Sequence, residues 1–103
     1  MTEHLADIRK YTANVNEGAV AAIVKYCGIA LQRADSSLVA STDPTELARV
    51  RDGYAAKRLG LSAEAADAAI KTVVEKMKGA PHKSRVTFYY LLAEASGTLG
   101  KLS

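Results

Sequence analysis

Little in this 103-residue chain announces a chemistry. It has one cysteine, Cys27, which excludes an intramolecular disulfide and fits a reducing cytoplasm. It has two histidines, His4 near the start and His82 after Pro81. Neither stands at a spacing from Cys27 or from carboxylates that would build a triad or a metal site. No glycine pattern of the nucleotide-binding kinds is present. The apolar stretches around Ala19–Val24 and Val86–Ala93 are far too short to span a membrane. A basic start followed by an apolar run and a small-residue cleavage site is missing too, so the expected place is the cytoplasm, with no membrane partner. With two prolines, seven glycines, no linker and no recognisable repeat, residues 1–103 read as one domain. No cofactor and no metal are expected.

What the chain does have is apolar helix. Hydrophobic residues make up 49% and charged residues 24%, the balance of a globular domain rather than a disordered one. Fourteen Lys and Arg against eleven Asp and Glu give a net charge of +3, milder than a dedicated nucleic-acid binder usually carries. Val and Ile recur mostly at helical spacing and alanine is abundant, so strand signals are weak. The fold class is all-α: a compact single-domain bundle of about five helices.

The first helix is expected from about Glu3 to Ala13, capped by Thr2, with Leu5, Ile8 and Thr12 inward. Asn16 caps a second helix through about Leu31, whose Val20, Ile23, Val24, Cys27 and Leu31 form one apolar stripe. Ala19, Ala22, Tyr26 and Ile29 form another, so this helix needs covering on two sides. Asp35 and Ser36 cap a short turn carrying Leu38 and Val39. Asp43-Pro44-Thr45-Glu46 is the clearest helix start, with Glu46 able to reach back to the cap. From there Leu47, Val50 and Tyr54 point inward and Leu59 closes the helix before Gly60, the left-handed stop. Gly53, inside this helix, marks close packing or a local break. Ser62 caps a fourth helix over Ala63–Lys78, with Ala66, Ile70, Val73, Val74 and Met77 buried and Asp67 paired with Lys71. The last helix begins near Pro81–Ser84 and runs to about Ala95. Its Val86, Phe88, Tyr89, Tyr90, Leu91 and Leu92 surround the whole circumference, which makes it the centre of the bundle beside the second helix.

Three groups of residues are candidates for function. The stretch 56–71 has helix-turn-helix spacing around Gly60. Its second helix, however, opens with Glu64 and Asp67, which bring acid to phosphates, and an ordinary helical hairpin explains the same residues. The segment Lys76–Arg85 holds Lys76, Lys78, Lys83 and Arg85 with no acid between them. An anion or partner site there would use Lys83, Ser84, Arg85 and Tyr89, although a solvated loop accounts for the charges as well. Arg85 and Tyr89 are i, i+4 neighbours, which can lay the guanidinium over the ring. Cys27, on an apolar stripe, behaves as a small hydrophobe with a raised pKa. Glu46, Asp52, Glu75 and Glu94 read as helix-surface charges. No enzyme signature emerges.

The segments Gly28-Ile29-Ala30-Leu31, Ser37-Leu38-Val39-Ala40, Glu46-Leu47-Ala48-Arg49-Val50-Arg51 and Lys57-Arg58-Leu59-Gly60-Leu61 carry a resemblance. So does Lys83-Ser84-Arg85-Val86-Thr87-Phe88-Tyr89-Tyr90-Leu91-Leu92-Ala93-Glu94, the most specific of them. Together the chain resembles the bacterial family called domain of unknown function 2853. The resemblance implies a small single-domain helical protein and brings no activity, substrate or catalytic residue with it. The functional expectation is therefore a non-enzymatic module that binds a protein partner or itself, because so short a chain is hard pressed to cover two all-apolar helices. The alternative is weak binding of nucleic acid or another polyanion through Lys76–Arg85 and the 56–71 region, with nucleic acid the less favoured partner.

Overall fold

Three helix starts are set by a side chain that replaces a missing backbone partner. In the computed structural model, which describes residues 2–28, 38–40, 42–80 and 83–102, Asn16 Oδ1 accepts from the Ala19 amide at 3.1 Å and opens α2, Glu17–Cys27. Asp43 accepts from the Thr45 amide at 2.9 Å ahead of α3, Pro44–Arg49. Ser62 Oγ accepts from the Ala65 amide at 3.2 Å ahead of α4, Ala63–Lys76. Helix α1, Thr2–Ile8, comes first and α5, Arg85–Ala95, last, followed by a 3-10 turn at Leu99–Lys101. The class is all-α as expected, and the described residues include no strand. An isolated antiparallel bridge, Leu38 to Ser84, ties the segment before α3 to the start of α5.

Helix α5 is the centre. Every residue from Val86 to Ala93 is buried, Thr87 included, under α1, α2, α4 and the segment that follows α3. Burial on all sides is what its unbroken apolar sequence demands. Tyr90 is enclosed with its hydroxyl accepting from the Asn16 amide at 2.8 Å, and Thr87 donates to Asp7 of α1. Thus two polar groups of the central helix are satisfied by the two helices laid over it.

Several boundaries differ from the sequence reading. Helix α1 stops at Ile8 rather than Ala13, because the chain turns there: Tyr11 bonds back to the Ile8 carbonyl and Asn14 adopts φ 27°. Thr12 leaves the helical stripe and donates to Glu94 at 2.8 Å. Helix α2 ends at Gly28, whose φ of 49° and ψ of −119° suit a residue without a Cβ. Leu31, Ile29, and the turn at Asp35 and Ser36 lie outside the described residues. Helix α4 ends at Lys76, and Asp67 pairs with Arg51 at 3.6 Å instead of Lys71.

The largest departure is in the third helix. After α3 the chain widens into a π-helix, Val50–Arg58, in which the Leu59 amide reaches the Tyr54 carbonyl five residues back. The wider turn sends Val50, Tyr54 and Ala55 inward, with Leu59 following them. Gly53 marks this local change in winding and not a close approach, since a Cβ placed there meets nothing within 4 Å. Gly60, at φ 69°, is the left-handed stop.

The core also differs in membership. Val24, Cys27, Leu38, Leu47 and Val74 are only half-buried, and Tyr26 is 44% exposed. Ala19, Val39, Ala55, Ala69, Ala93 and Leu102 are buried instead. Small residues allow helix axes to approach, and their burial carries almost no hydropathy signal.

Candidate functional site

Two places in this fold bring polar and apolar groups together in a way that packing alone does not require. The first lies beneath the start of α5. Arg85 Nη2 donates to Glu46 Oε1 of α3 at 2.5 Å and to the Leu38 carbonyl at 3.2 Å. Its Nη1 donates to the Tyr89 hydroxyl at 2.9 Å. The guanidinium carbon stands 5.5 Å from the centre of the Tyr89 ring. The two charged side chains are 13% and 14% exposed, so this is a largely buried ion pair.

The other face of Tyr89 stacks on Tyr54, with centroids 3.9 Å apart and planes 13° apart. Tyr54 donates its hydroxyl to the Tyr89 carbonyl at 2.9 Å. The π-helix is what delivers that ring, because the wide turn carries Tyr54 over α5. Tyr26 of α2 closes the cluster edge-on, 5.5 Å from Tyr54 and 6.4 Å from Tyr89. Burial raises the pKa of both Tyr54 and Tyr89, the nearby Arg85 charge pulling the second partly back. Cys27 is pushed up to about 11 by burial, against a smaller downward pull from Arg85. Burial also opposes charge on Arg85, but the bonds to Glu46 and Tyr89 outweigh it and hold the guanidinium protonated.

Of the predicted site residues, Arg85 and Tyr89 therefore do come together, with the guanidinium over the ring. Their partners face inward. The Lys83 carbonyl accepts from the Val39 amide at 2.8 Å and its Nζ donates to the Ala80 carbonyl at 3.0 Å. Ser84 sits on the bridge to Leu38, without a side-chain cap bond to α5. The cluster thus straps residues 38–40, α3 and α5 to one another. Glu46, read from the sequence as a surface charge, is the carboxylate on which this strap closes. Glu94 is likewise half-buried, between Thr12 and Lys76. An arginine placed at the start of an all-apolar central helix needs a carboxylate, and that was the available signal for Glu46.

The helix-turn-helix-like stretch is occupied in its own way. Arg58 donates to the Lys101 carbonyl at 2.9 Å and Lys101 Nζ donates to the Leu59 carbonyl at 3.0 Å. The C-terminal turn is thereby clamped across Leu59–Gly60, while Glu64 and Asp67 stand exposed on α4.

The second place is a groove of about 850 Å³ between α3 and α4. Its floor is Leu47 with Ile70 and Val74, and Lys71, Thr72, Glu75 and Lys76 stand along it. A smaller hollow of about 220 Å³, edged by Thr42, Lys78 and Lys83, continues it past Val74 and Glu75. Ile70 and Val74 are i, i+4 neighbours and so share one line along the helix. Leu47 and Val74, both expected in the core, are half-buried because they border this groove. Hydrophobic periodicity located these residues but could not separate a groove wall from an interior.

Among the described residues, no three His, Cys, Asp or Glu side chains gather in a metal-holding group, and no helix is long and apolar enough to cross a membrane. No curated protein matches the chain. The family model described as "Protein of unknown function (DUF2853)" matches residues 3–100, and on that near-complete match the chain belongs to this family.

Proposed function

We propose that this chain is a non-enzymatic protein-interaction module whose docking face is the groove between α3 and α4. The observation that carries the reading is the partial exposure of Leu47 and Val74 along an 850 Å³ groove. A folded monomer gains nothing by leaving aliphatic side chains half-covered in a concavity, whereas a docked helix or loop would bury them at roughly 25 cal/mol per Å². The chemistry of the other cluster supports the same reading. Arg85 and Glu46 are turned onto each other, and burial pushes the Cys27 thiol up to about 11, which disfavours the thiolate. No catalytic step is assigned to either place.

A photo-crosslinking residue at Thr72, exposed on the groove wall, tests this against the same residue at Ala6, exposed on α1. Crosslinking in the living host should give a defined adduct from position 72 alone, abolished by Val74→Asp. Equal labelling from both positions, or only bare monomer at 10.9 kDa from position 72, overturns the reading.

Polyanion binding is the second reading, carried by Lys76 and Lys78 at the end of α4 and Lys83 ahead of α5. With Arg85 turned onto Glu46, it rests on these lysines. It requires an affinity that falls steeply with salt.

A further inference from the structure

We propose that the occupant of the α3–α4 groove is a short acidic amphipathic helix of another protein, a conclusion that rests on the docking reading above. The floor sets the apolar half of the match. Ile70 and Val74 present one i, i+4 line, and Leu47 faces them from α3. From Ile70 to Lys76 the helical groove wall runs seven residues, roughly 9 Å or about two helical turns, and Lys78 extends it past the end of α4. A helix with apolar anchors at i, i+3 or i+4, and i+7 covers that distance.

The rim sets the charged half. Among the described residues, Lys71, Lys76, Lys78 and Lys83 border the two hollows, against Glu75. That excess of three positive charges equals the net charge of the entire chain, so the rest of the sequence balances to zero. Lys83 is held by the Ala80 carbonyl at 3.0 Å, but the attachments of Lys76 and Lys78 are long ones. Lys76 stands 3.6 Å from the half-buried Glu94, and Lys78 stands 3.9 Å from Glu75 in an exposed pair of the kind worth little in water. An incoming carboxylate can replace either contact at small cost.

The same charges decide between occupants. A second copy docking by the same face would form an isologous contact, setting lysine against lysine around a two-fold axis. A nucleic acid would bring phosphates to the lysines but would leave the Leu47, Ile70 and Val74 floor unmatched, with Glu75 opposing it midway. An acidic amphipathic helix satisfies floor and rim together, and its charge would speed encounter as well as fix orientation.

The test is an amide-shift titration of the full chain with two blocked helical peptides of 14 residues. Both carry leucines at i, i+4 and i+7; one has glutamates elsewhere and the other lysines. The glutamate peptide should move the amides of residues 45–47 and 70–78, and bind at least tenfold tighter than the lysine peptide at 0.15 M salt. Lys71→Glu with Lys78→Glu, both at exposed positions, should reverse that preference. Equal binding of the two peptides at the groove would overturn the acidic assignment and leave the docking reading standing. If neither peptide moves those amides, both fall. A single-stranded oligonucleotide that moves them at lower concentration than the glutamate peptide would overturn the assignment in favour of a polyanion.

Discussion

Helices α5 and α4 use their apolar residues in opposite ways. From Val86 to Ala93, α5 is buried all round, and even its Thr87 and Tyr90 hydroxyls are bonded to Asp7 of α1 and to the Asn16 amide that opens α2. Helix α4 buries one stripe, Ala66, Ala69, Ile70 and Val73, with Met77 beyond its end, and leaves Val74 half-open on the groove. The first helix has spent its hydrophobic surface on stability. The second holds some back, and does so where lysines concentrate. Stability and recognition are thus separated by side: substitutions around α5 should unfold the protein, whereas substitutions on the groove wall should leave it standing and blind.

The largest effect expected is at the strap. Arg85→Met leaves the Glu46 carboxylate mostly enclosed without its partner and should cost about 3–5 kcal/mol in urea denaturation. Adding Glu46→Leu should restore much of that loss, since the remaining cost of burying an unpaired charge disappears with it. A single-variant loss below about 1 kcal/mol would mean the α3–α5 junction tolerates water and that the enclosed side is less enclosed than its 13% and 14% exposures indicate.

Leu91→Ala comes next. Leu91 is 1% exposed at the middle of α5, and truncation there should cost roughly 2–5 kcal/mol through lost transfer energy and the cavity left behind. In so small a domain that is a large share of the whole stability. A loss under about 1 kcal/mol would move the centre of the bundle elsewhere and break the contrast at its stronger end.

Cys27 tests the enclosed side by rate. Burial disfavours its thiolate and pushes the pKa up from the ordinary 9.0 to about 11. Below pH 9 the neutral thiol is kept in both folded and unfolded chains. Between 9 and about 11 the unfolded chain ionises while the folded one resists, so that stabilising difference is lost as pH rises through this window. Alkylation of the native protein at pH 8 should therefore run about tenfold slower than that of the unfolded chain, since lost thiolate outweighs the stronger nucleophilicity of a higher-pKa thiolate. Rates within threefold of each other would show that the Cys27 side of α2 opens freely.

The contrast between the two helices was legible in the sequence to different depths. The caps Asn16, Asp43 and Ser62, the stop at Gly60 and the central place of α5 all follow from local rules that act within a few residues. Tertiary demands set the rest. Gly53 signals a break within Val50–Arg58 but does not specify the π-winding, which holds Tyr54 and Ala55 inward together over α5. Alanines 19, 55 and 69 entered the core because helices approach there, a property of pairs of helices. Glu46 lay on a helix whose own pattern placed it outside, and only Arg85, 39 residues on, turned it inward. The groove was hidden for the converse reason: Leu47 and Val74 have core spacing, and their half-exposure depends on what the neighbouring elements leave uncovered.

The smallest expected effect is the sharpest probe of that difference. Val74→Ala removes two methyl groups, as an interior truncation would, but from a side chain already half in water. The loss of apolar burial is then well under the roughly 1.5–3 kcal/mol of a fully buried aliphatic side chain. Alanine also favours an α-helix over valine by up to about 0.7 kcal/mol, which offsets part of what remains. The net change in urea denaturation should lie within about 0.5 kcal/mol of zero, while binding of the glutamate peptide weakens several-fold. If Val74→Ala instead destabilises the chain as Leu91→Ala does, Val74 belongs to the core and the groove closes in solution. If stability and peptide binding both stay unchanged, Val74 is an ordinary surface residue and the docking face has been drawn in the wrong place.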